Sequence, residues 1–306
     1  MAEITAALVK ELREKTGAGM MECKKALSET DGNLEQAIDF LRKKGLSVAE
    51  KKAGRIANQG LVGLSVSGNK GVLVEVNSET DFVARNDEFQ QFVLAATQTA
   101  LDLSGDAEAL KAAPMNGKTV EASLTDLIAK IGENMNLRRG AHVTVDTGVV
   151  VPYMHTSVAP NLGKIGVLVA LKSTGDQAKL AEIGKKIAMH IAATNPKFAA
   201  VADVDEETRA HEKSIYEEQA KASGKPANII EKMVEGRLRK FYEEVVLTEQ
   251  AFIMDPDKKI KDVLADAAKE VGAPVELAAF VRYGLGEGLE KKCEDFAEEV
   301  SKQLGH

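Results

Sequence analysis

The chain has 306 residues, of which 44% are hydrophobic, 28% are charged and 4% are aromatic, and its formal net charge is −7. A chain of this length is too long to fold around one ordinary hydrophobic core, so two or more domains are expected. The negative charge argues against a nucleic-acid groove that covers the whole molecule, because proteins of that class are usually basic.

The sequence lacks the usual marks of secreted and membrane proteins. The start, Met1-Ala2-Glu3-Ile4-Thr5, does not show the basic and then apolar order of a signal peptide. No run approaches the roughly 18 apolar residues of a transmembrane helix. Cys23 and Cys293 lie far apart and neither belongs to a CxxC motif, which fits a reducing compartment. We therefore expect a cytoplasmic protein that does not use a membrane.

Residues 1–55 predict a small domain of three helices. The first helix has apolar residues at helical spacing and ends at the glycines of residues 17–19. A second helix is predicted over about 20–28. Asn33 is expected to cap a third helix, with Gln36 at the capping-box position. The basic residues 51–55 are interpreted as a solvated linker.

Residues 56–140 predict a first core subdomain, since the apolar period changes to two after Gly60. Strands at 61–66 and 71–76 flank turn residues at 67–70, which indicates a β-hairpin. A helix of about 87–101 follows a polar loop. Its predicted apolar face consists of Phe89, Phe92, Val93, Ala96 and Ala100.

Residues 141–198 and 247–286 predict a second core subdomain with the same order of strand, strand and helix. Strands are expected at 141–145, 149–151 and 165–171, before a helix of about 177–194. A later helix at 260–270 and a strand at 280–283 complete it. The fold class is therefore α+β, with two ββα-type subdomains that share a core.

Residues 199–246 predict an antiparallel helical hairpin that protrudes from the second subdomain as an insertion. Two polar helices, about 206–222 and 227–246, flank Ser223-Gly224-Lys225-Pro226, which supplies a C-cap glycine and a proline stop. Ile215, Ile229, Ile230 and Met233 are apolar positions suited to pairing with a second copy. A C-terminal helical module is expected at 287–306.

The chain offers few candidates for bond chemistry. It contains no HExxH motif, and its histidines and cysteines do not form a recognisable nucleophile or metal pattern. The glycine-rich residues 17–19 and 284–288 lack the flanking strand, helix and Lys-Ser/Thr of a phosphate cradle. His190 is predicted to pack inside a helical face, and His155 to lie in a loop as a contact residue. We expect no catalytic residue, no cofactor and no metal site.

The most informative local feature is Thr80-Asp81-Phe82-Val83, which places an aromatic residue in a polar loop between a strand and a helix. Phe82 could plug the start of the following helix. It could instead plug a partner, because Phe89 and Phe92 already supply the core face of that helix. Asp81 would suit the N-terminus of a partner's helix, where free N–H groups and the helix dipole favour an anion. The pattern favours a contact site.

Several motifs resemble those of the bacterial translation elongation factor Ts family. They are Thr16–Leu27 (TGAGMMECKKAL), Glu75–Ala84 (EVNSETDFVA), Ile131–Asn134 with Arg138-Arg139, Ile187–His190, Ser223–Pro226, Lys232–Arg237 and Gly286–Gly288. They occur through the whole chain in the family's order. The chain looks longer than most members, and the excess is expected in loops near 103–120 and 147–161.

The resemblance implies a guanine-nucleotide exchange factor for elongation factor Tu, acting in translation elongation without bond chemistry of its own. It implies a ubiquitin-associated-like (UBA-like) N-terminal domain and a hairpin that dimerises in some members. Thr80–Val83 would be the segment that dislocates the partner's Mg²⁺, so that GDP leaves and GTP binds. Other implied partner contacts are Leu12, Met20, Met21, Ile131 and His155.

Two alternatives from other functional classes remain at this point. An RNA-binding translation accessory would use the basic clusters at 42–44 and 51–52, but interleaved aromatic residues are absent from them and the net charge is negative. An enzyme with an unrecognised site is the other alternative. We therefore expect neither direct nucleic-acid binding nor catalysis.

Overall fold

The computed structural model describes residues 4–103, 106–221 and 226–289. The predicted glycine cap at Ser223–Lys225 and nearly all of the predicted C-terminal helix lie outside these residues. The helices are α1 Ala6–Thr16, α2 Met20–Glu29, α3 Leu34–Lys52, α4 Asp87–Ala100, α5 Ala107–Ala112, α6 Val120–Ile131, α7 Gln177–Thr194, α8 Glu206–Lys221, α9 Ala227–Val245 and α10 Ile260–Val271.

The strands are mostly antiparallel where their register is defined. They are β1 Gln59–Ser67, β2 Lys70–Ser78, β3 Pro114–Met115, β4 Lys118–Thr119, β5 Met135–Thr144, β6 Gly148–Ala159, β7 Leu162–Lys172, β8 Ala251–Phe252, β9 Asp255–Lys259 and β10 Glu276–Gly284. The mixed helix and strand content confirms the coarse α+β prediction. In the part of the chain that the structure describes, no helix combines the length and apolar character needed to cross a bilayer.

The chain forms two compact units. The first contains the described residues of 1–63, 74–140 and 285–306, and the second contains 64–73 and 141–284. The three N-terminal helices thus cluster in the same unit as most of the first predicted core subdomain, whose residues 64–73 belong to the second unit. The five-segment domain division, including a UBA-like fold for 1–55, stays a prediction.

The N-terminal helices follow their local sequence signals. Gly17 ends α1 in the left-handed conformation (φ 69°), and the Asn33 side chain accepts a hydrogen bond from the Gln36 amide at the start of α3. The interpretation of residues 51–55 as a linker is wrong for its first half, because α3 continues through Lys52. Cations in the last turn of a helix complement its dipole, so a basic run does not by itself end a helix.

In the first unit, β2 lies between β1 and β5, and α4 packs on β1. The approach of α4 is close enough that a methyl group at Gly63 would collide with the Thr97 side chain. Residues 107–119 contain α5, β3 and β4, although a loop was expected near 103–120. Helix α6 was not predicted, and β5 begins six residues before the predicted strand.

In the second unit, β7 pairs with both β6 and β10. Helices α7 and α10 bury their apolar faces in one core, together with residues of β7. The expected loop at 147–161 is largely wrong, because β6 fills most of it as a strand of 12 residues. Pro152 lies opposite Leu168 on β6, which among the described strands pairs with β7 alone and so stands at an edge of the sheet. Proline is tolerated on such an edge strand.

A buried carboxylate organises the strands of the first unit. Glu75 of β2 is fully buried, and its oxygens accept hydrogen bonds from Arg138 Nη1 at 3.0 Å and Arg139 Nε at 2.5 Å, both on β5. The amide of Gly286 and the Asn77 side chain also donate to Glu75, at 2.9 and 3.0 Å. One side chain therefore joins two strands to the segment after β10.

His190 of α7 is a structural histidine, as predicted. It is fully buried, its Nε2–H donates to Gln250 Oε1 at 2.9 Å, and its Nδ1 accepts from the Ile253 amide at 3.3 Å. Burial lowers the pKa of His190 because it desolvates the charged ring, and the hydrogen bond to Gln250 opposes this shift in part. The ring is therefore neutral in the folded protein near pH 7.

Removal of the Glu75 charge should destabilise the protein. We expect Glu75→Gln to lower the free energy of unfolding by about 2–4 kcal/mol, because loss of one partner of a buried ion pair leaves the others without compensation. The two arginines remain partly exposed, at 19% and 30% of their side chains, which limits the cost. The measurement is urea unfolding. Glu88→Gln is the matched control, since its pair with Lys130 is exposed and should contribute under about 1 kcal/mol. Equal free energies of unfolding for Glu75→Gln and Glu88→Gln would contradict the stabilising role of the buried Glu75 carboxylate.

The neutral state of His190 predicts an acid-sensitive contribution to stability. The unfolded chain takes up a proton near its ordinary pKa of 6.5, whereas the folded chain resists it until lower pH. This contribution is therefore complete above about pH 6.5 and is lost as the pH falls below it, by up to about 1.4 kcal/mol per pH unit. Urea midpoints between pH 7 and 5 should fall less steeply for His190→Asn than for the wild type. The exposed His142→Asn is the control and should follow the wild type; an unchanged slope for His190→Asn would contradict the prediction.

Candidate functional site

The loop of residues 79–86, here called the Phe82 loop, connects β2 to α4 and exposes its aromatic residue. The Phe82 side chain is 76% exposed, whereas Phe89 and Phe92 of α4 are buried at 0% and 7% exposure. The interpretation of Phe82 as a plug for its own helix is therefore wrong, because α4 fills its core face without it. An exposed Phe on an ordered loop is a surface that another molecule can cover.

The C-terminal side of the Phe82 loop is anchored by its own neighbours. Val83 and Ala84 are buried at 3% and 6% exposure and begin a short 3₁₀ turn. The Asn86 side chain caps α4 by accepting two hydrogen bonds from first-turn amides, at 3.0 and 3.1 Å. Gln90 Nε2 donates to the Ala84 carbonyl at 2.9 Å. These contacts fix the chain directly after Phe82.

The N-terminal side is anchored by residues more than 50 positions away. One carboxylate, Glu133, accepts from the Thr80 amide at 3.0 Å and from the Thr80 hydroxyl at 2.7 Å. In the opposite direction, the Asn134 amide donates to Glu79 Oε1 at 2.6 Å. Ser78 Oγ adds a local bond to the Thr80 carbonyl at 3.0 Å. Phe82 therefore stands between two fixed points.

The turn that supplies Glu133 also contacts the end of α3. Gly132 ends α6 in the left-handed conformation (φ 84°), which a glycine adopts without steric cost. Its carbonyl accepts from Lys52 Nζ, and Asn134 Nδ2 donates to the Arg55 carbonyl at 2.6 Å. Arg55 in turn lies 3.5 Å from the Glu79 carboxylate. The same turn thus joins the N-terminal helices to the Phe82 loop.

Asp81 presents a carboxylate beside Phe82. Its side chain is 53% exposed, and the guanidinium of Arg85 lies 4.0 Å away with 76% exposure. Exposed ion pairs at this distance contribute little free energy, so the contact with Arg85 is weak and does not prevent the Asp81 carboxylate from binding another group. Asp81 remains accessible to a donor from outside the chain.

The N-terminal residues named in the sequence fall into two environments. Met20 and Met21, in the first turn of α2, are 61% and 75% exposed. Leu12 is fully buried against the residues of the three-helix core, which include Cys23 and Leu27. The two methionines therefore form an exposed apolar pair, whereas Leu12 belongs to the core that supports the helix carrying this pair.

Ile131 and His155 lie in different units. Ile131 is half-buried at the end of α6, two residues before Glu133. His155 is exposed. The prediction that it sits in a loop is wrong, because it lies on β6 and pairs with Ile165 of β7. Its Nδ1 lies 3.1 Å from the Tyr153 hydroxyl. The next residue, Thr156, has φ 52°, which is rare for a β-branched residue and marks local strain.

Part of the basic clusters named for RNA binding is already engaged within the fold. In the basic clusters, Lys44 pairs with Glu22 at 2.7 Å and Lys52 is bound to Gly132, so two of the cations already serve the fold. Among the described residues, no group of three or more His, Cys, Asp or Glu side chains is placed to hold a metal ion.

Sequence reasoning missed the role of Glu133. The residue stood inside the matched Ile131–Asn134 motif, which was a signal that this turn matters. Its partner could not be read from the pattern, because Thr80 lies 53 positions earlier. The contact depends on how α6 packs.

Comparison with known proteins identifies relatives along the whole chain. The family described as Elongation factor TS matches residues 79–287. A protein of Rhodospirillum rubrum named Elongation factor Ts is 63% identical over 307 residues, covering 99% of this chain and 99% of its own length. Proteins of the same name from Paramagnetospirillum magneticum and Maricaulis maris are 61% and 58% identical to this chain. Both alignments cover 100% of this chain, and they cover 98% and 99% of the two relatives, respectively.

Proposed function

The chain belongs to the elongation factor Ts family of translation factors, and on that premise we propose that it is the guanine-nucleotide exchange factor for elongation factor Tu. The observation that supports this most directly is Phe82, 76% exposed on a loop that is held at both ends. The protein would act in the cytoplasm by binding alone, without making or breaking covalent bonds.

The proposed mechanism rests on linkage. A protein that binds nucleotide-free elongation factor Tu more tightly than the GDP-bound form must weaken GDP binding by the same factor. Phe82 would enter an apolar slot between helices of the partner's GTPase domain, and Asp81 would bind a helix N-terminus nearby. The displaced partner elements would then lose their hold on the Mg²⁺ that bridges the phosphates. GDP would leave, and GTP would take its place.

The energy of one phenylalanine limits its share of this work. Full burial of a Phe side chain contributes roughly 1.5–3 kcal/mol, which corresponds to on the order of 10–150-fold in an equilibrium constant. Further contacts must therefore contribute to fast release. Met20, Met21, Ile131 and His155 are proposed to supply them, and buried Leu12 is proposed to act indirectly by holding α2 in place.

The helices α8 and α9 are proposed as a dimerisation hairpin. They pack on each other, with the Arg237 guanidinium 5.9 Å from the centre of the Tyr216 ring. Ile229 of α9 is 42% exposed, and an exposed apolar residue on a polar hairpin suits a second copy. Exchange would not require this contact.

Truncation of Phe82 should slow nucleotide release. With saturating Phe82→Ala, release of a fluorescent GDP analogue from elongation factor Tu should be roughly 10–150-fold slower than with the wild type, because the side-chain burial is lost. Leu94→Ala, which truncates an exposed residue of α4 outside the loop, is the matched control and should release at the wild-type rate. Equal rates for a folded Phe82→Ala protein would refute the insertion mechanism.

A charge on α9 should prevent dimerisation. Ile229→Glu should sediment as a monomer in analytical ultracentrifugation under conditions where the wild type is a dimer, and should retain exchange activity. Asn228→Glu places the same charge at the neighbouring exposed position and should leave the sedimentation coefficient unchanged. If Ile229→Glu sediments like the wild type, the hairpin is not the dimer contact; if it loses exchange, the hairpin belongs to the partner-binding surface.

A further inference from the structure

We propose that Glu133 is a positioning residue for Phe82, which deepens and rests on the exchange function proposed above. Glu133 would not touch the partner's nucleotide site. It would act through Thr80, by holding the N-terminal side of the Phe82 loop in the shape that presents the aromatic ring.

The geometry of the contact is that of a clasp. Both carboxylate oxygens of Glu133 are used, one by the Thr80 amide and one by the Thr80 hydroxyl, at 3.0 and 2.7 Å. Hydrogen bonds to a charged acceptor are stronger than neutral ones. The Asn134 amide holds Glu79 from the same turn at 2.6 Å, so two successive loop residues are bound to two successive turn residues.

The two sides of the loop differ in what holds them. After Phe82, the chain is fixed by burial of Val83 and Ala84 and by the cap of its own helix. Before Phe82, Thr80 is half-buried and Asp81 is exposed. The contacts on this side come from Glu133 and Asn134, together with the local bond from Ser78 and the ion pair of Glu79 with Arg55. Loss of Glu133 therefore frees the amide and the hydroxyl of Thr80, which lies on the side of Phe82 where the adjoining loop residues are less buried.

A free loop would bind less well because its order would have to be established on binding. Fixing the backbone of a flexible residue costs conformational entropy. A loop that is already fixed avoids this cost, which is the general advantage of preorganisation. Glu133 would thus contribute to exchange without contacting elongation factor Tu.

The test is a double-mutant cycle in nucleotide release. Glu133→Ala should slow the maximal release of a fluorescent GDP analogue from elongation factor Tu by about tenfold, in line with one lost charge-assisted hydrogen-bond pair. In the Phe82→Ala background, Glu133→Ala should cause no further slowing, because there is no ring left to position. Glu133→Gln keeps an acceptor for Thr80 and should recover part of the rate.

The matched control is Glu121→Ala, which removes an exposed glutamate from the first turn of α6, the helix that precedes Glu133. It should leave release unchanged. If the effects of Phe82→Ala and Glu133→Ala multiply, or if Glu133→Ala releases at the wild-type rate, the positioning role is refuted.

A second measurement does not depend on exchange activity. Hydrogen exchange at the Thr80 amide should be at least about tenfold faster in Glu133→Ala than in the wild type, with amides of α4 unchanged. Equal protection at Thr80 would overturn the proposal. If Phe82→Ala releases GDP as fast as the wild type while Thr80 loses protection in Glu133→Ala, the exchange mechanism fails and the clasp on the loop stands.

Discussion

The first unit is organised around the buried charge of Glu75. A carboxylate without access to water is stable only when its oxygens are fully used, and here two arginines, an amide and a side-chain amide use them. Because Arg138 and Arg139 both lie on β5, the interaction ties β2 to its neighbouring strand β5. It also brings the chain after β10 back to β2. The Phe82 loop begins directly after β2, so this interaction fixes the strand from which the loop extends.

The loop shows how an exposed apolar residue can be kept on a folded protein. The cost of leaving Phe82 in water is offset by contacts made around it rather than by it. Val83 and Ala84 bury the chain on one side, and Glu133 and Asn134 bind it on the other. The loop therefore exposes one aromatic ring on a backbone that is held on both sides of it. The three-helix segment shows a similar division, in which buried Leu12 supports α2 while Met20 and Met21 face water.

Local signals allowed the sequence to predict most elements, whereas contacts between distant residues could not be predicted. The limits of α7 and the cap at Asn33 follow from periodicity and from one side chain, so they were found. The length of β6 was missed, because a local pattern does not record that Pro152 lies on an edge strand, where a proline is tolerated. The bonds of Glu75 to Arg138 and Arg139, and those of Thr80 to Glu133, join residues 53 or more positions apart, which no local pattern records. The pattern favoured Phe82 as a contact residue, but only the fold excluded the alternative that it packs against its own helix.

The two-sided mount of Phe82 has a calorimetric consequence. Partners that fold a segment on binding show large heat-capacity changes, because ordering the segment buries surface within it as well as at the contact. The Phe82 loop already holds its internal hydrogen bonds and has buried Val83 and Ala84. The heat-capacity change assigned to this loop on association should therefore reflect the apolar area of the ring and its slot alone. The loop would then bind as a preformed element, and its heat-capacity change on binding would follow from the apolar surface area that becomes buried.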